Sequence, residues 1–262
     1  MRRIPYVLSA ALLAALLLPL PARAGDSLFQ YSIIDALLAG LYDGQITLEQ
    51  LKFQGDFGLG TLNGLDGELI ILEGQAYHAL PGGDVNVPAD STRSPFAIVS
   101  FFSEDTSLRL GRLGSLEELN RAVLRVLPSK NLFCAIRIDG TFPFVRVRAI
   151  PRQERPYKPL AEAARQQVVV RLSGEGTLVG YYSPAFVRGV NVPGFHWHFL
   201  TLDRLQGGHV LECAVEPADA RLDILHDYTV RLPEDDAFDR FDLSSDRSGE
   251  LRAVEQNPKS GQ

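Results

Sequence analysis

Cysteine is almost absent from this 262-residue chain: only Cys134 and Cys213 occur, and no Cys-x-x-Cys pair exists. Two cysteines make no disulfide framework, and a thiolate zinc site is excluded. Both lie in apolar, strand-like runs, LFCAIRI and VLECAV, the setting of a buried free thiol rather than a bridge. Lysine is scarce as well, at Lys52, Lys130, Lys158 and Lys259, none in a setting that marks an imine-forming amine. No basic cluster offsets the excess of 32 Asp and Glu over 26 Lys and Arg. Nucleic acid and anionic lipid are therefore poor partners for a chain of net charge −6. The zinc-protease pattern His-Glu-x-x-His is missing too.

Long apolar runs are limited to one. Arg2 and Arg3 precede the run Val7 to Leu18, and Ala22-Arg23-Ala24 ends it. That order of basic, apolar and small residues predicts a secretory signal peptide over residues 1–24, cut after Ala24. The uninterrupted apolar stretch is shorter than the roughly 20 residues a membrane-spanning helix needs, and Pro19 and Pro21 break it. Export to periplasm or medium is the expectation. Loss of three arginines and no acids takes the charge from −6 to −9.

Beyond the leader, Leu28, Ile33, Ile34, Leu37, Leu38 and Leu41 recur at helical spacing and predict an opening helix, with Thr47 capping a further turn through Leu51. From Gly55 to Ser103, glycine turns alternate with short apolar runs. Asn63-Gly64 and Asp66-Gly67 are turn dipeptides, so ELIIL reads as the strand that follows. Ser115 and Glu118 form a capping box for a helix to about Val126. NLFCAIRI and FPFVRVRAI flank Asp139-Gly140-Thr141, which reads as a hairpin. The proline- and charge-rich PRQERPYKPL, residues 151–160, is the candidate linker between residues 25–150 and 151–262. VVVRL, GTLVGYYS, FHWHFLTL, HVLECAV and ARLDILHDYTVRLP continue the strand texture in the second half, before a polar tail from Glu234. The fold expected is α/β, with two β-rich mixed subdomains, an N-terminal one and a C-terminal metal-binding one.

Three of the five histidines fall in GFHWHFLTLDRLQGGHV. In a strand, His196 and His198 share one face, about 7 Å apart, while Phe195, Trp197 and Phe199 share the other. Two imidazoles so placed can converge on one ion. In a simple hairpin Leu202 would pair with His209, leaving His209 about 13 Å along the strand from His198, too far for a shared ion. A bulge or another pairing must bring it in, and Gly207-Gly208 permits one. A cupin site is disfavoured because Leu202 stands where its glutamate would be. Three neutral imidazoles suit zinc best, with nickel, cobalt or iron as alternatives.

The longer blocks GDFGLGTLNGLDGELIILEG, RAIPRQERPYKPL, GTLVGYYSP and GVNVPGFHWHFLTLDRLQGGHVLE resemble acetolactate decarboxylases, in the same order and at similar spacing. The resemblance covers nearly all of residues 25–262. It implies two α/β domains with an extended sheet, pairing into homodimers, and conversion of 2-acetolactate to acetoin and carbon dioxide. It also implies zinc on His196, His198 and His209, catalytic roles for Glu68, Arg148 and Glu255, and a place in the active site for Thr61. Glu250 lies close enough to Glu255 to compete for its assignment. On residue type alone, Glu68 reads as a solvated residue beside a turn, Arg148 as a surface strand arginine, and Glu255 as disordered tail. His78 and His226 read as structural.

The implied chemistry needs an electron sink, and the chain shows no recognisable thiamine or pyridoxal site. Zinc chelated by the ketone and hydroxyl oxygens would serve, stabilising the enediolate formed as carbon dioxide leaves. Arg148 would anchor the carboxylate or meet the developing oxyanion, and Glu68 or Glu255 would deliver the final proton. Two alternatives stand beside this reading. One is a secreted metal-binding protein without turnover; the other is a metal-dependent lyase or hydrolase acting on another small keto acid.

Overall fold

After Glu68, the run LIIL, residues 69–72, is apolar at every position because both of its faces are covered. Ile70 and Leu72 pack into one core, Leu69 and Ile71 into another. Double burial of this kind marks a strand inside a sheet that is covered on both sides.

A computed structural model describes residues 26–255 and shows a mixed α/β, strand-rich fold. The expected export segment, residues 1–24, lies outside the described residues. The first half contains β1 (Ser27–Tyr31), α1 (Ile34–Leu38), β2 (Ile46–Thr47), α2 (Leu48–Lys52), β3 (Phe57–Thr61), β4 (Glu68–Leu72) and β5 (Gln75–Ala79). It continues through β6 (Val85–Asn86), β7 (Arg93–Ser94), β8 (Phe96–Ser100), β9 (Thr106–Leu110), α3 (Leu116–Leu124) and β10 (Phe133–Ala149). The second half contains α4 (Leu160–Ala163), β11 (Val168–Ser183), β12 (Gly194–Thr201), β13 (Gly207–Ala214), β14 (Ala218–Leu225), β15 (Asp227–Arg231), α5 (Asp236–Arg240) and α6 (Ser248–Glu255). Among the described residues no helix is long and apolar enough to cross a membrane.

Seven strands form one sheet in the order β15-β1-β8-β3-β4-β5-β6, and six form another in the order β11-β12-β13-β10-β14-β9. Strand β10 also pairs with β11, so the ladders β10–β11–β12–β13 close on themselves. The sheets exchange strands across residue 150: β9 and β10 precede the proline segment yet belong to the second sheet, and β15 follows it yet lies parallel to β1 in the first. One core joins Leu59, Ile70 and Ile98 of the first sheet to Ala135, Val179, Tyr181 and Leu200 of the second. Within that core Tyr181 donates its hydroxyl to Phe57 O at 2.8 Å, which satisfies a buried polar group. A second core, with Phe142, Phe199, Trp197 and Cys213, is closed by Leu119 and Val123 of α3. Cys134 and Cys213 are buried free thiols.

Local signals held where they were self-contained. Thr47 and Gln50 make a reciprocal capping box on α2, and Ser115 accepts the Glu118 N–H to start α3. Two expectations were overturned by long-range pairing. Residues 28–31 are strand rather than helix, because Phe29 to Tyr31 pair with β8 on one side and with β15 on the other. Asp139-Gly140-Thr141 is no hairpin turn but the middle of the 17-residue strand β10. There Asp139 accepts from Thr177 Oγ1 at 2.7 Å and from Arg137 Nε at 2.9 Å, and Gly140 pairs with Gly176. Cross-strand partners hold the chain extended where its sequence offered a turn. VVVRL and GTLVGYYS likewise form the single strand β11.

Candidate active site

Strand β12 alternates as its sequence requires: Trp197 and Phe199 enter the second core, while His196 and His198 face the opposite way. Their third partner arrives by register. Within residues 201–206, Asp203 accepts from Thr201 Oγ1 at 2.6 Å and from the Leu205 N–H at 3.0 Å, and the Thr201 N–H donates to Gln206 O at 2.8 Å. This tight loop sets Leu200 opposite Gly207, so the partner of His209 is His198, not Leu202 as a simple hairpin predicts. Glycine is required at 207, where a Cβ would stand 2.5 Å from Phe199 O.

The three rings lie 4.9 to 5.4 Å apart, centroid to centroid, and one nitrogen from each falls within 4.8 Å of the others. His196 Nε2 and His209 Nδ1 share a hydrogen bond of 3.1 Å. His198 Nδ1–H donates to Leu69 O at 2.9 Å, and because a carbonyl can only accept, Nε2 is left as a bare lone pair. His198 Nε2 and His196 Nδ1 are buried without a partner. Burial, followed by the Arg148 charge, pushes His196 down to about 3. Burial also takes His198 and His209 well below the usual imidazole range. Neutral, converging imidazoles with unused buried nitrogens are the donor set a divalent cation needs, so the residues fit a metal ion.

Glu68 opens β4 at the end of a turn. Gly67 adopts a φ of +64°, where a Cβ would meet Ala79 O at 2.3 Å. Thr61 Oγ1 donates to Gly67 O at 2.7 Å and His78 Nε2 donates to Asp66 O at 2.8 Å, so Thr61 and His78 both hold the turn. Glu68 Oε2 then lies 3.5 Å from His198 Nε2. Burial lifts its carboxyl to about 8, opposed by Arg148 and reinforced by Glu255.

Arg148 pairs with His209 across the β10–β13 ladder and is 4% exposed, a buried cation rather than a surface one. Its Nη2 reaches Glu255 Oε1 at 3.4 Å, while Glu255 Oε2 lies 3.6 Å from His209 Nε2. Burial raises the Glu255 carboxyl, with Arg148 opposing. Glu250 points elsewhere and pairs with Arg247 at 3.1 Å. His226 is exposed. The cleft encloses about 40 Å³, and its non-polar wall is built from Ile34, Leu37, Leu65, Phe96, Leu160 and Val254. These six carry no signal in the sequence because each reads as ordinary core.

The structure thus gathers Thr61, Glu68, Arg148, His196, His198, His209 and Glu255 in one place. The family model that matches the chain, over residues 28–245, is that of alpha-acetolactate decarboxylase. The chain belongs to the alpha-acetolactate decarboxylase family. It is 43% identical to the Methanosarcina mazei alpha-acetolactate decarboxylase over 234 residues, 89% of this chain and 81% of that one. It is 37% identical to the Klebsiella aerogenes enzyme, covering 89% and 91% of the two chains. The crystal structure of alpha-acetolactate decarboxylase from Bacillus subtilis strain 168 superposes with a TM-score of 0.85 at 34% identity, covering 88% of this chain and 99% of that one. Helix α6 and its Glu255 lie beyond the residues matched by the family model, and the contacts with Arg148 and His209 place Glu255 at the site.

Proposed function

We propose that this chain converts 2-acetolactate to acetoin and carbon dioxide, using a zinc ion held by His196, His198 and His209. Family membership supports the reaction. The single observation that carries the site is the convergence of three buried, neutral imidazoles beside Arg148 and the carboxyls of Glu68 and Glu255. When bound, the cation supplies a Lewis acid for the electrons left behind as carbon dioxide departs. The protein's own groups do the rest. Arg148 donates from its guanidinium edge to the substrate carboxylate and orients it for loss. One of the two flanking carboxyls, Glu68 or Glu255, delivers the proton that completes acetoin, and the side from which it approaches fixes the handedness of the product. The apolar wall seats the alkyl groups and excludes water.

The same proposal includes export, supported by the basic, apolar and small-residue order of residues 1–24, and pairing into a homodimer, supported by the family resemblance. The test is acetoin formation from racemic acetolactate by residues 25–262, before and after chelation and with zinc restored. Activity lost to the chelator and regained with zinc, and absent in His196→Ala, is the expected result. Folded, zinc-loaded protein that forms no acetoin would overturn the assignment. Light scattering on the same sample reads the homodimer.

A further inference from the structure

Arg148 makes one contact that the chemistry above leaves unused. Its Nη1 donates to Gln167 Oε1 at 3.2 Å, at the opposite end of the guanidinium from the edge formed by Nε and Nη2. On that other edge Nη2 makes only the 3.4 Å contact with Glu255, and Nε is buried with no partner at all. Gln167 is placed by the ladder. Val169 of β11 pairs with Arg148, so Gln167, two residues earlier, lies diagonally across on the same face. Its N–H is held by Ala164 O at 3.2 Å, which ends the turn leading into β11.

We propose that Gln167 is a positioning residue for the decarboxylation: it holds the Nη1 corner of Arg148 so that the Nε–Nη2 edge faces the cleft as a two-point dock for the substrate carboxylate. This rests on the functional reading given above. Its neutrality is part of the role. Arg148 already neighbours Glu68 and Glu255, and a third carboxylate would cancel the positive charge that an anionic substrate needs. Without any acceptor at 167, the guanidinium is free to rotate and close both nitrogens on Glu255, a carboxylate fork that substrate would have to break.

Two near-isosteric variants separate these effects. Gln167→Met keeps the size and removes the acceptor; Gln167→Glu keeps the acceptor and adds charge. Each is loaded with zinc and assayed for kcat and KM on acetolactate, with calorimetric binding of lactate, a non-reacting hydroxy acid, and of acetoin, which has no carboxylate. For Gln167→Met the expected result is a rise of about fivefold in KM and in the lactate Kd, the scale of one hydrogen bond, with kcat within about twofold and acetoin binding unchanged. Gln167→Glu should weaken both by about tenfold or more, although its side chain has the wild-type shape. Wild-type KM and lactate affinity in Gln167→Met would overturn the proposal, as would equal weakening of lactate and acetoin. If wild-type protein forms no acetoin, the proposed reaction fails. The lactate comparison, which needs no turnover, still decides whether Gln167 aims Arg148.

Discussion

His198 stands directly across the β12–β13 ladder from His209, and Arg148 stands across from His209 on its other side. Two ligands and the guanidinium are therefore fixed by backbone pairing rather than by side-chain packing. Gly207 guards the first of these pairings. Gly207→Ala should push β13 away from Phe199 O and weaken zinc binding by about tenfold or more, as supporting-group losses do at metal sites. Zinc competition against a coloured chelator reads this, and unchanged affinity would show that register does not set the ligand geometry.

Glu255 reaches the site from a helix that buries only Leu251 and Val254. Glu255→Gln should lower kcat on acetolactate by roughly 100-fold or more while leaving the melting temperature nearly unchanged, the cost of losing a proton-transferring group. A chain ending at residue 246 should fold and bind zinc yet lose activity at least as severely. Full activity in either variant would remove Glu255 from the chemistry and leave Glu68 as the sole acid.

Asp223 provides a pH test away from the metal. It is fully buried, accepts the Ser103 N–H at 3.1 Å through Oδ2, and has no partner at Oδ1. Burial pushes its carboxyl up to about 7, the Ser103 N–H opposing, with Asp105, Asp26 and Asp56 adding to the rise. The folded state therefore holds this proton more tightly than the unfolded chain. Its contribution to stability is complete below the unfolded value near 4 and is lost as pH rises through about 7. Asp223→Asn keeps the acceptor and cannot ionise. Relative to wild type it should gain stability between pH 5 and 8, by about 2 kcal/mol at the upper end. Parallel stability curves for the two proteins would refute the assignment.

Trp197, the chain's single tryptophan, donates its indole N–H to Asn120 Oδ1 at 2.9 Å and so ties α3 to the back of the histidine strand. Asn120→Ala leaves that donor unpaired and should cost about 1–3 kcal/mol. Urea unfolding followed by the emission of Trp197 measures the loss. An unaltered midpoint would mean that water replaces Asn120.

How much of this was legible depended on how far apart the partners lie. The alternation in FHWHF put His196 and His198 on one face and the aromatics in the core, because a strand's period is local geometry. The caps at Thr47 and Ser115 and the turn that delivers Glu68 were legible for the same reason: each is satisfied within a few residues. The opening strand and the unbroken strand through Asp139 were not legible. Their hydrogen-bond partners, Val99, Asp227, Gly176 and Thr177, come from distant segments that outweigh a local helical or turn preference.

The sequence by itself determined the chemistry available: three imidazoles, two carboxyls and a guanidinium in blocks that resemble one enzyme family. Only the tertiary structure decided their arrangement. His209 joins His198 because a loop closed by Asp203 sets the register, and Glu255 joins Arg148 because α6 packs back over the cleft. Gln167 meets the same guanidinium across a ladder between strands joined by the proline segment. Residue identity is written in the chain, but the distance between two residues far apart in it is set by the packing and pairing of everything between them.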